Sequence, residues 1–502
     1  MTAVGESQHA PAHHRDRRMD RQPVWWPVVA GAALAQAVVL TLGSTGYGYH
    51  RDELYFRMLP PAWGYVDQPP LTPLLARLTA HLAEAPWALR TPATLAAATS
   101  VVLIALVTRE LGGGRGAQAL AAWGYAFAAI PLMLGHLLLT STIDLPLLAA
   151  VVLAVVRATG GHPRWWLAAG VVAGLTTWNR LLVAVVVASL AVGILALGPR
   201  RSLRTPWLAA GAAAGLVTAL PNLLYQATHG WPQLAMGRAL AENNAADVRS
   251  SLPLLLLVML GPPLVLVWVA GLVWLLRRPQ RAVAGYLAVA CLLVVGFTFA
   301  SGAQPHYPAH LLSVAYAAGC VPVARWLTRR RWAAVTAAVL VAVNGAVSVV
   351  LALPVVPVRV LGSTPVAAIS PLVADQVGWP RYVAQVAAAY RSAPGGPTQV
   401  VTSNYGEAGA IARYGRRLGL PRPLSGQNAL ADVARPPDGT RTVLVVGYQL
   451  EGVRDLFSSC EVLARLDNGV DVDSEEQGAP VAVCTGPTLP WDRLWPRFHH
   501  LD

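Results

Sequence analysis

The chain has 502 residues, of which 55% are hydrophobic and 13% charged, with a mean hydropathy of +0.48. Soluble domains carry roughly 25% charged residues, so this composition excludes a soluble enzyme, and the apolar content is too high for a disordered scaffold. The formal charge is +13 and all 38 basic residues are arginine, but the clusters Arg15/Arg17/Arg18/Arg21, Arg200/Arg201/Arg204, Arg277/Arg278/Arg281 and Arg325/Arg329/Arg330/Arg331 sit between apolar runs. That distribution is a membrane topology signal and speaks against a nucleic-acid partner.

Residues 1–23 are polar and basic and precede a span without a small-residue cleavage signature, which predicts a cytoplasmic tail followed by a retained anchor. About eleven apolar runs follow, near Val24–Leu42, Ala93–Val107, Ala117–Leu134, Leu137–Val156, Trp165–Thr177, Leu181–Leu197, Trp207–Tyr225, Leu252–Leu276, Ala282–Ala300, Ala309–Trp326 and Trp332–Leu353. A helix needs about 20 such residues to cross the hydrocarbon core, so the short fifth run is expected to be tilted, broken or re-entrant. With the N-terminus cytoplasmic, this map puts eighteen arginines inside and seven outside before residue 356. The asymmetry orients residues 24–355 in the cell membrane. It also places outside a first loop at 43–92, a loop at about 226–251, and everything after about residue 354.

The first outer loop holds Tyr47-Gly48-Tyr49-His50-Arg51-Asp52-Glu53-Leu54-Tyr55-Phe56. Charges so close to a span end are costly unless solvated or paired, so these are either an interfacial ion pair or a carboxylate base beside a phosphate-binding arginine. Gly64-Tyr65-Val66-Asp67-Gln68-Pro69-Pro70-Leu71 comes next, then a leucine stripe at 71, 74, 75, 78 and 82. That spacing predicts an amphipathic helix lying on the outer leaflet or sealing the top of the bundle. At the head of the fourth span, Asp144 in Thr142-Ile143-Asp144-Leu145-Pro146 is either a functional intramembrane carboxylate or an N-cap. Asn179, Arg180, Arg238 and Gln304-Pro305-His306-Tyr307 complete the polar groups that the topology gathers on the same face. Cys291 and Cys320 lie in spans and read as small apolar core residues.

After residue 355 the composition changes to 13 arginines against 14 acidic residues, with Pro/Gly punctuation. Val400–Val401, Val443–Val446 and Val481–Val483 predict short strands, and Tyr382–Arg391 and Glu407–Tyr414 predict helices, so residues 356–502 form a small exported α/β domain. Cys460 and Cys484 are expected to pair there, the alternative being two buried free thiols.

At these motifs the sequence resembles the GT-C membrane glycosyltransferases, in particular the bacterial branch of glycosyltransferase family 39 related to protein O-mannosyltransferases and lipid A aminoarabinose transferases. His50-Arg51-Asp52-Glu53-Leu54-Tyr55, Val66-Asp67-Gln68-Pro69-Pro70-Leu71 and Thr142-Ile143-Asp144 carry the resemblance. Tyr405-Gly406-Glu407-Ala408-Gly409-Ala410, Gly419-Leu420-Pro421 and Ser425-Gly426-Gln427-Asn428 are similar to the family's exported domain. The resemblance implies transfer of a hexosyl or pentosyl group, with inversion, from a polyprenyl-phosphate donor to a protein, lipid or glycan acceptor at the outer face. Asp52 then matches the catalytic aspartate, with Glu53 and Asp144 as further acidic candidates. Tyr65, Asp67 and Gln68 form a substrate loop. Gln68 is neutral where many relatives carry a basic residue, which passes phosphate neutralisation to Arg51, Arg180, Arg238 or His306, with Tyr307 a further phosphate-binding candidate. Some GT-C enzymes use a divalent metal, and no tight ligand cluster stands out here. The rival reading is a transporter or flippase of lipid-linked sugars, which would put its charges near the bilayer midplane on broken helices.

Overall fold

The structure is a computed structural model that describes residues 22–277 and 279–501. The expected N-terminal tail, apart from Gln22 and Pro23, and Arg278 lie outside the described residues.

Every apolar run of the sequence becomes helix. From the first run to the fourth the helices are α1 (Trp26–Gly43), α2 (Arg51–Met58), α3 (Leu71–Ala80), α4 (Pro86–Glu110), α5 (Arg115–Ala126), α6 (Ala129–His136) and α7 (Thr140–Thr159). The remainder of the bundle is α8 (Trp165–Thr176), α9 (Leu182–Leu197), α10 (Pro206–Thr228), α11 (Pro232–Val258), α12 (Pro262–Leu276), α13 (Arg281–Ser301), α14 (Ala309–Leu327) and α15 (Arg331–Ala352). Six of these are long and apolar enough to cross a membrane alone, and eight spans result when the bent pairs α5/α6 (50°) and α11/α12 (93°) each count as one. The chain is a multi-pass membrane protein. Helices α8 and α9 are shorter, and α14 runs through the interior with most of its residues buried.

The second outer loop is a correction. Most of the expected loop at 226–251 is helix α11, which continues to Val258 before the chain turns sharply. Gly261, at φ +97°, and the Pro262–Pro263 pair break the expected span Leu252–Leu276, because a left-handed residue followed by proline cannot extend the preceding helix. The amphipathic helix is present as α3, with an orientation that its stripe alone did not fix. Thr72, Ala76 and Thr79 face the protein, while Leu74 and Leu78 are exposed. Leu74 and Leu78 are therefore available to lipid, whereas Leu71 and Leu75 pack against the protein core.

Close helix pairing relies on small residues, as expected where lipid is as apolar as leucine. A Cβ on Gly170 or Gly211 would collide with the backbone of the facing helix, so α8 and α10 touch through glycine, and Gly271 and Gly319 do the same for α12 and α14.

The C-terminal part is an α/β layer. Its strands are β1 (Gln399–Thr402), β2 (Leu424–Ser425), β3 (Thr442–Val446), β4 (Phe457–Arg465) and β5 (Pro480–Pro487), in the order β2-β1-β3-β5-β4. The first three pair in parallel, and β5 is antiparallel to both β3 and β4. Valines of β1, β3 and β5 are almost fully buried, as β-branched residues in a sheet covered on both faces should be. One face packs on Trp491, Trp495 and Phe498, each worth roughly 2 kcal/mol when buried. Cys460 and Cys484 stand directly opposite each other in β4 and β5, with Cα atoms 4.1 Å apart, and are disulfide-bonded. The sheet docks on the bundle through the helix Tyr405–Tyr414, which lies against α2. Gly409 permits the contact, since a Cβ there would meet the backbone of Leu54.

Candidate active site

Helix α2 aims the first-loop carboxylates. Its N-cap is His50, whose Nδ1 accepts from the Asp52 amide at 3.2 Å, while the Glu53 carboxylate accepts from the His50 amide at 2.9 Å. This reciprocal cap satisfies two otherwise orphaned donors. Glu53 is fully buried and accepts Arg90 Nε and Nη2 at 2.9 and 2.8 Å and the Leu138 amide at 3.1 Å. Arg90 also donates to the carbonyls of Ser44 and Gly48. The first loop is thereby clamped to α4 and to the α6–α7 connection, and Asp52, one residue before Glu53, turns to the other side.

That side is a cavity of about 1760 Å³ among the helices and their connections, reached from the C-terminal part by Tyr405 and Asn428. Asp52 lines it and accepts the Tyr405 hydroxyl at 2.9 Å. The Tyr405 ring lies 4.7 Å from that of Tyr55, whose hydroxyl donates to Asp67 at 3.0 Å. Gln68 Nε2 donates to the other Asp67 oxygen at 3.2 Å. Burial pushes the Asp67 carboxyl up to about 7, against the lowering effect of the Tyr55 hydrogen bond. Arg51 also lines the cavity, but its guanidinium lies over the Tyr405 ring at 4.9 Å and is ion-paired with Glu475.

The opposite wall comes from the α7–α9 end. Arg180 lines the cavity, with its Nε 3.4 Å from Asp144. Asn179 donates to the same carboxylate at 2.7 Å and accepts from Thr72 of α3. Arg180 Nη2 donates to both the Thr140 and Ser141 hydroxyls, Nη1 lies 3.5 Å from His306 Nε2, and the guanidinium lies 5.1 Å from the Tyr307 ring. His306 hydrogen-bonds Ser141 at 2.7 Å, and burial together with the Arg180 charge holds its imidazole well below the usual histidine range. Its hydrogen bond to Ser141 places it beside the Arg180 guanidinium, which contacts the same hydroxyl. Arg238 and Arg249 of α11 line the cavity as well, Arg249 donating to the carbonyls of Phe299 and Ala300. Leucines, methionines and valines from α6, α9, α11 and α15 are among the apolar residues of the remaining surface.

The fold thus brings together Asp52, Arg51, Asp67, Gln68, Arg180, Arg238, His306 and Tyr307 from separate stretches of sequence. Three expected residues do not line the cavity. Glu53 is sealed under Arg90. Tyr65 is buried and donates its hydroxyl to the Pro60 carbonyl. Asp144 is fully buried behind Arg180 and Asn179, and it is one turn inside α7, so the N-cap reading of it is incorrect. Sequence reading missed Asp375, which lines the cavity and pairs with His50 Nε2 at 3.6 Å, and also Arg249. Both sit in segments without motif or apolar period, and only the chain path brings them here. Among the described residues no group of three or more His, Cys, Asp or Glu side chains is arranged to hold a metal ion.

Comparisons place this geometry among known folds. A family profile described as dolichyl-phosphate-mannose-protein mannosyltransferase matches residues 67–225. ArnT from Cupriavidus metallidurans bound to undecaprenyl phosphate superposes with a TM-score of 0.59 at 17% identity, over 91% of this chain and 98% of that one. The apo form of the same ArnT gives 0.56 at 14% identity, over 91% and 97%. The arabinofuranosyltransferase AftD from Mycobacteria gives 0.50 at 16% identity, over 93% of this chain and 42% of that one. No curated protein sequence matches.

Proposed function

We propose that this chain, whose fold is that of the GT-C membrane glycosyltransferases, moves a hexosyl or pentosyl group from a polyprenyl-phosphate donor to an acceptor hydroxyl at the outer face of the cell membrane. The observation that carries the reading is the presence, in one cavity, of a carboxylate at Asp52 and guanidinium groups at Arg180 and Arg238, within a lining that is mostly apolar. Such a site suits a ligand with a sugar, a phosphate and a long hydrocarbon chain. The undecaprenyl phosphate of the ArnT structure supplies two of these parts, the phosphate and the hydrocarbon chain, without the sugar.

In this reading Asp52 accepts the proton of the acceptor hydroxyl as its oxygen attacks the anomeric carbon. The bond from that carbon to the phosphate oxygen breaks in line, which inverts the configuration. The departing polyprenyl phosphate gains roughly one negative charge, so guanidinium groups aimed at it bind the transition state more tightly than the ground state. Arg180 and Arg238 are assigned that role, because Arg51 is already engaged by Glu475 and Tyr405. Tyr405 holds one Asp52 oxygen and leaves the other for the acceptor. Asp144 and Asn179 act as positioning residues for Arg180.

A transporter or flippase fits less well, since the ionisable groups line a cavity among the helices and their connections that Tyr405 and Asn428 reach from the C-terminal part. Incubation of the purified protein with polyprenyl-phosphate sugars, with release of polyprenyl phosphate measured with and without acceptor, tests the reading. Acceptor-dependent release is expected, and sugar movement across vesicles without release would overturn it. For sidedness, Ser250→Cys and Ser363→Cys should react with an impermeant thiol reagent outside intact cells and Arg201→Cys should not, the reverse pattern inverting the map.

A further inference from the structure

A second cleft, of about 270 Å³, lies between α2, the α3–α4 connection and the sheet's docking helix Tyr405–Tyr414, and shares no lining residue with the large cavity. Arg57, Arg413 and Arg422 line it, against the single carboxylate of Glu84. Arg57 and Arg413 both lie over the ring of Tyr49, at 5.5 and 5.9 Å, which holds two like charges on one side of the cleft. Glu84 compensates incompletely. It accepts Arg413 Nη1 at 3.0 Å, stands 3.9 Å from Arg57 Nη2, and is itself two-thirds exposed. Arg57 Nη1 and Arg413 Nε are buried N–H groups without a hydrogen-bond partner, and Arg422 makes no hydrogen bond or ion pair among the described residues. Buried donors on a guanidinium left unmade cost more than a neutral pair, so the positive charge of the cleft is incompletely compensated by the protein.

We propose that this cleft binds a phosphate-bearing anion at a site separate from the large cavity. A tetrahedral phosphate presents several acceptor oxygens at the spacing of the guanidinium fork, and three arginines against one carboxylate favour an anion over any neutral ligand. The residues that flank Glu84 in the chain indicate where the phosphate comes from. Leu78, Leu82 and Trp87, next to Glu84 in the chain, are all about half exposed or more, and exposed leucine with tryptophan is the composition of a membrane interface. The headgroup phosphate of an anionic phospholipid would enter between this apolar strip and the arginines. A free phosphate ion offers the same chemistry from the aqueous side.

The test uses the full chain and two substitutions of opposite sign at exposed positions, which a general loss of folding cannot mimic. In nanodiscs of phosphatidylcholine and phosphatidylglycerol, native mass spectrometry of the released protein should show phosphatidylglycerol retained by the unsubstituted chain. Arg422→Gln should lower that retention by about tenfold, the order expected for one charge-assisted contact, and Glu84→Gln should raise it. If inorganic phosphate raises the unfolding temperature of the unsubstituted chain and of Glu84→Gln but not of Arg422→Gln, with no selective lipid retention, the site stands and its ligand is the free ion. Equal lipid retention and equal phosphate response in all three proteins overturns the proposal.

Discussion

Two buried arginine–carboxylate assemblies flank the head of the bundle, and they differ in what their remaining hydrogen-bonding groups meet. Arg90 with Glu53 is closed. The pair is 1% and 0% exposed in its side chains, and both Glu53 oxygens and all three Arg90 nitrogens are engaged by protein groups. Arg180 with Asp144 is open on one side. Asp144 is fully buried, but the Arg180 side chain keeps 18% of its surface and lines the cavity, with its Nη2 resting on the hydroxyls of Thr140 and Ser141. Hydroxyl partners are easily exchanged for phosphate oxygens, whereas the carbonyls and carboxylate around Arg90 cannot be replaced without opening the fold. The lesson is that charge near a membrane span does not by itself mark function; the state of the second partner does.

The sharpest way to break this comparison is to cut the closed pair. Arg90→Ala leaves Glu53 buried and unpaired, and should lower the stability of the folded protein by about 3–5 kcal/mol, read as a large fall in unfolding temperature in detergent. An unchanged unfolding temperature would remove the clamp from the argument. On the open side, Asp52→Asn should leave unfolding temperature and donor binding near those of the unsubstituted protein while turnover falls by about a hundredfold or more. Turnover retained in that variant would shift the base to Asp67.

Smaller effects separate the arginines. Arg238→Ala and Arg180→Lys should each slow transfer by about tenfold with little change in donor binding, because the missing interaction is strongest with the departing phosphate. Arg51→Ala should instead loosen the docking of Tyr405 and affect stability as well as rate. If only Arg51→Ala slows transfer, the phosphate assignment moves there.

The smallest effect is on pH dependence. Asp67 is pushed from its ordinary 3.8 up to about 7 by burial, so the folded protein holds a proton that the unfolded chain has lost. A carboxyl raised on folding subtracts stability as pH climbs through the interval between those values, and the loss is complete above the higher one. Glu407, raised by burial and by Glu476 from 4.5 to about 8, acts in the same direction. Unfolding temperature should therefore have a component that declines between about pH 4 and pH 8. Asp67→Asn and Glu407→Gln should each flatten it, and a decline of unchanged slope in both variants would contradict the assignment.

Much of the architecture was written in local sequence. Apolar runs at span length specified the helices, and valine-rich segments specified β1, β3 and β5, because periodicity and length are properties of a few neighbouring residues. Strand β4 and the extension of α11 through the expected loop were not legible, since their polar and apolar residues follow neither the strand period nor the helix period. Within the candidate site, the motif around Asp52, the Asp67–Gln68 loop and Arg180 could be named from sequence. The separation of Asp52 from Glu53 could not, although they are adjacent, because it depends on Arg90 arriving from α4 some 37 residues later to claim one of them. Asp375 and Tyr405 lie more than 300 residues from Asp52, and their place beside the cavity follows from how the sheet docks on α2 through Gly409. Sequence by itself therefore determined a multi-pass helical protein with a small α/β appendage and a short roster of chemically competent residues. Tertiary structure decided which of those residues are spent on holding the fold and which face open space, because burial and pairing are set by contacts that no local pattern encodes.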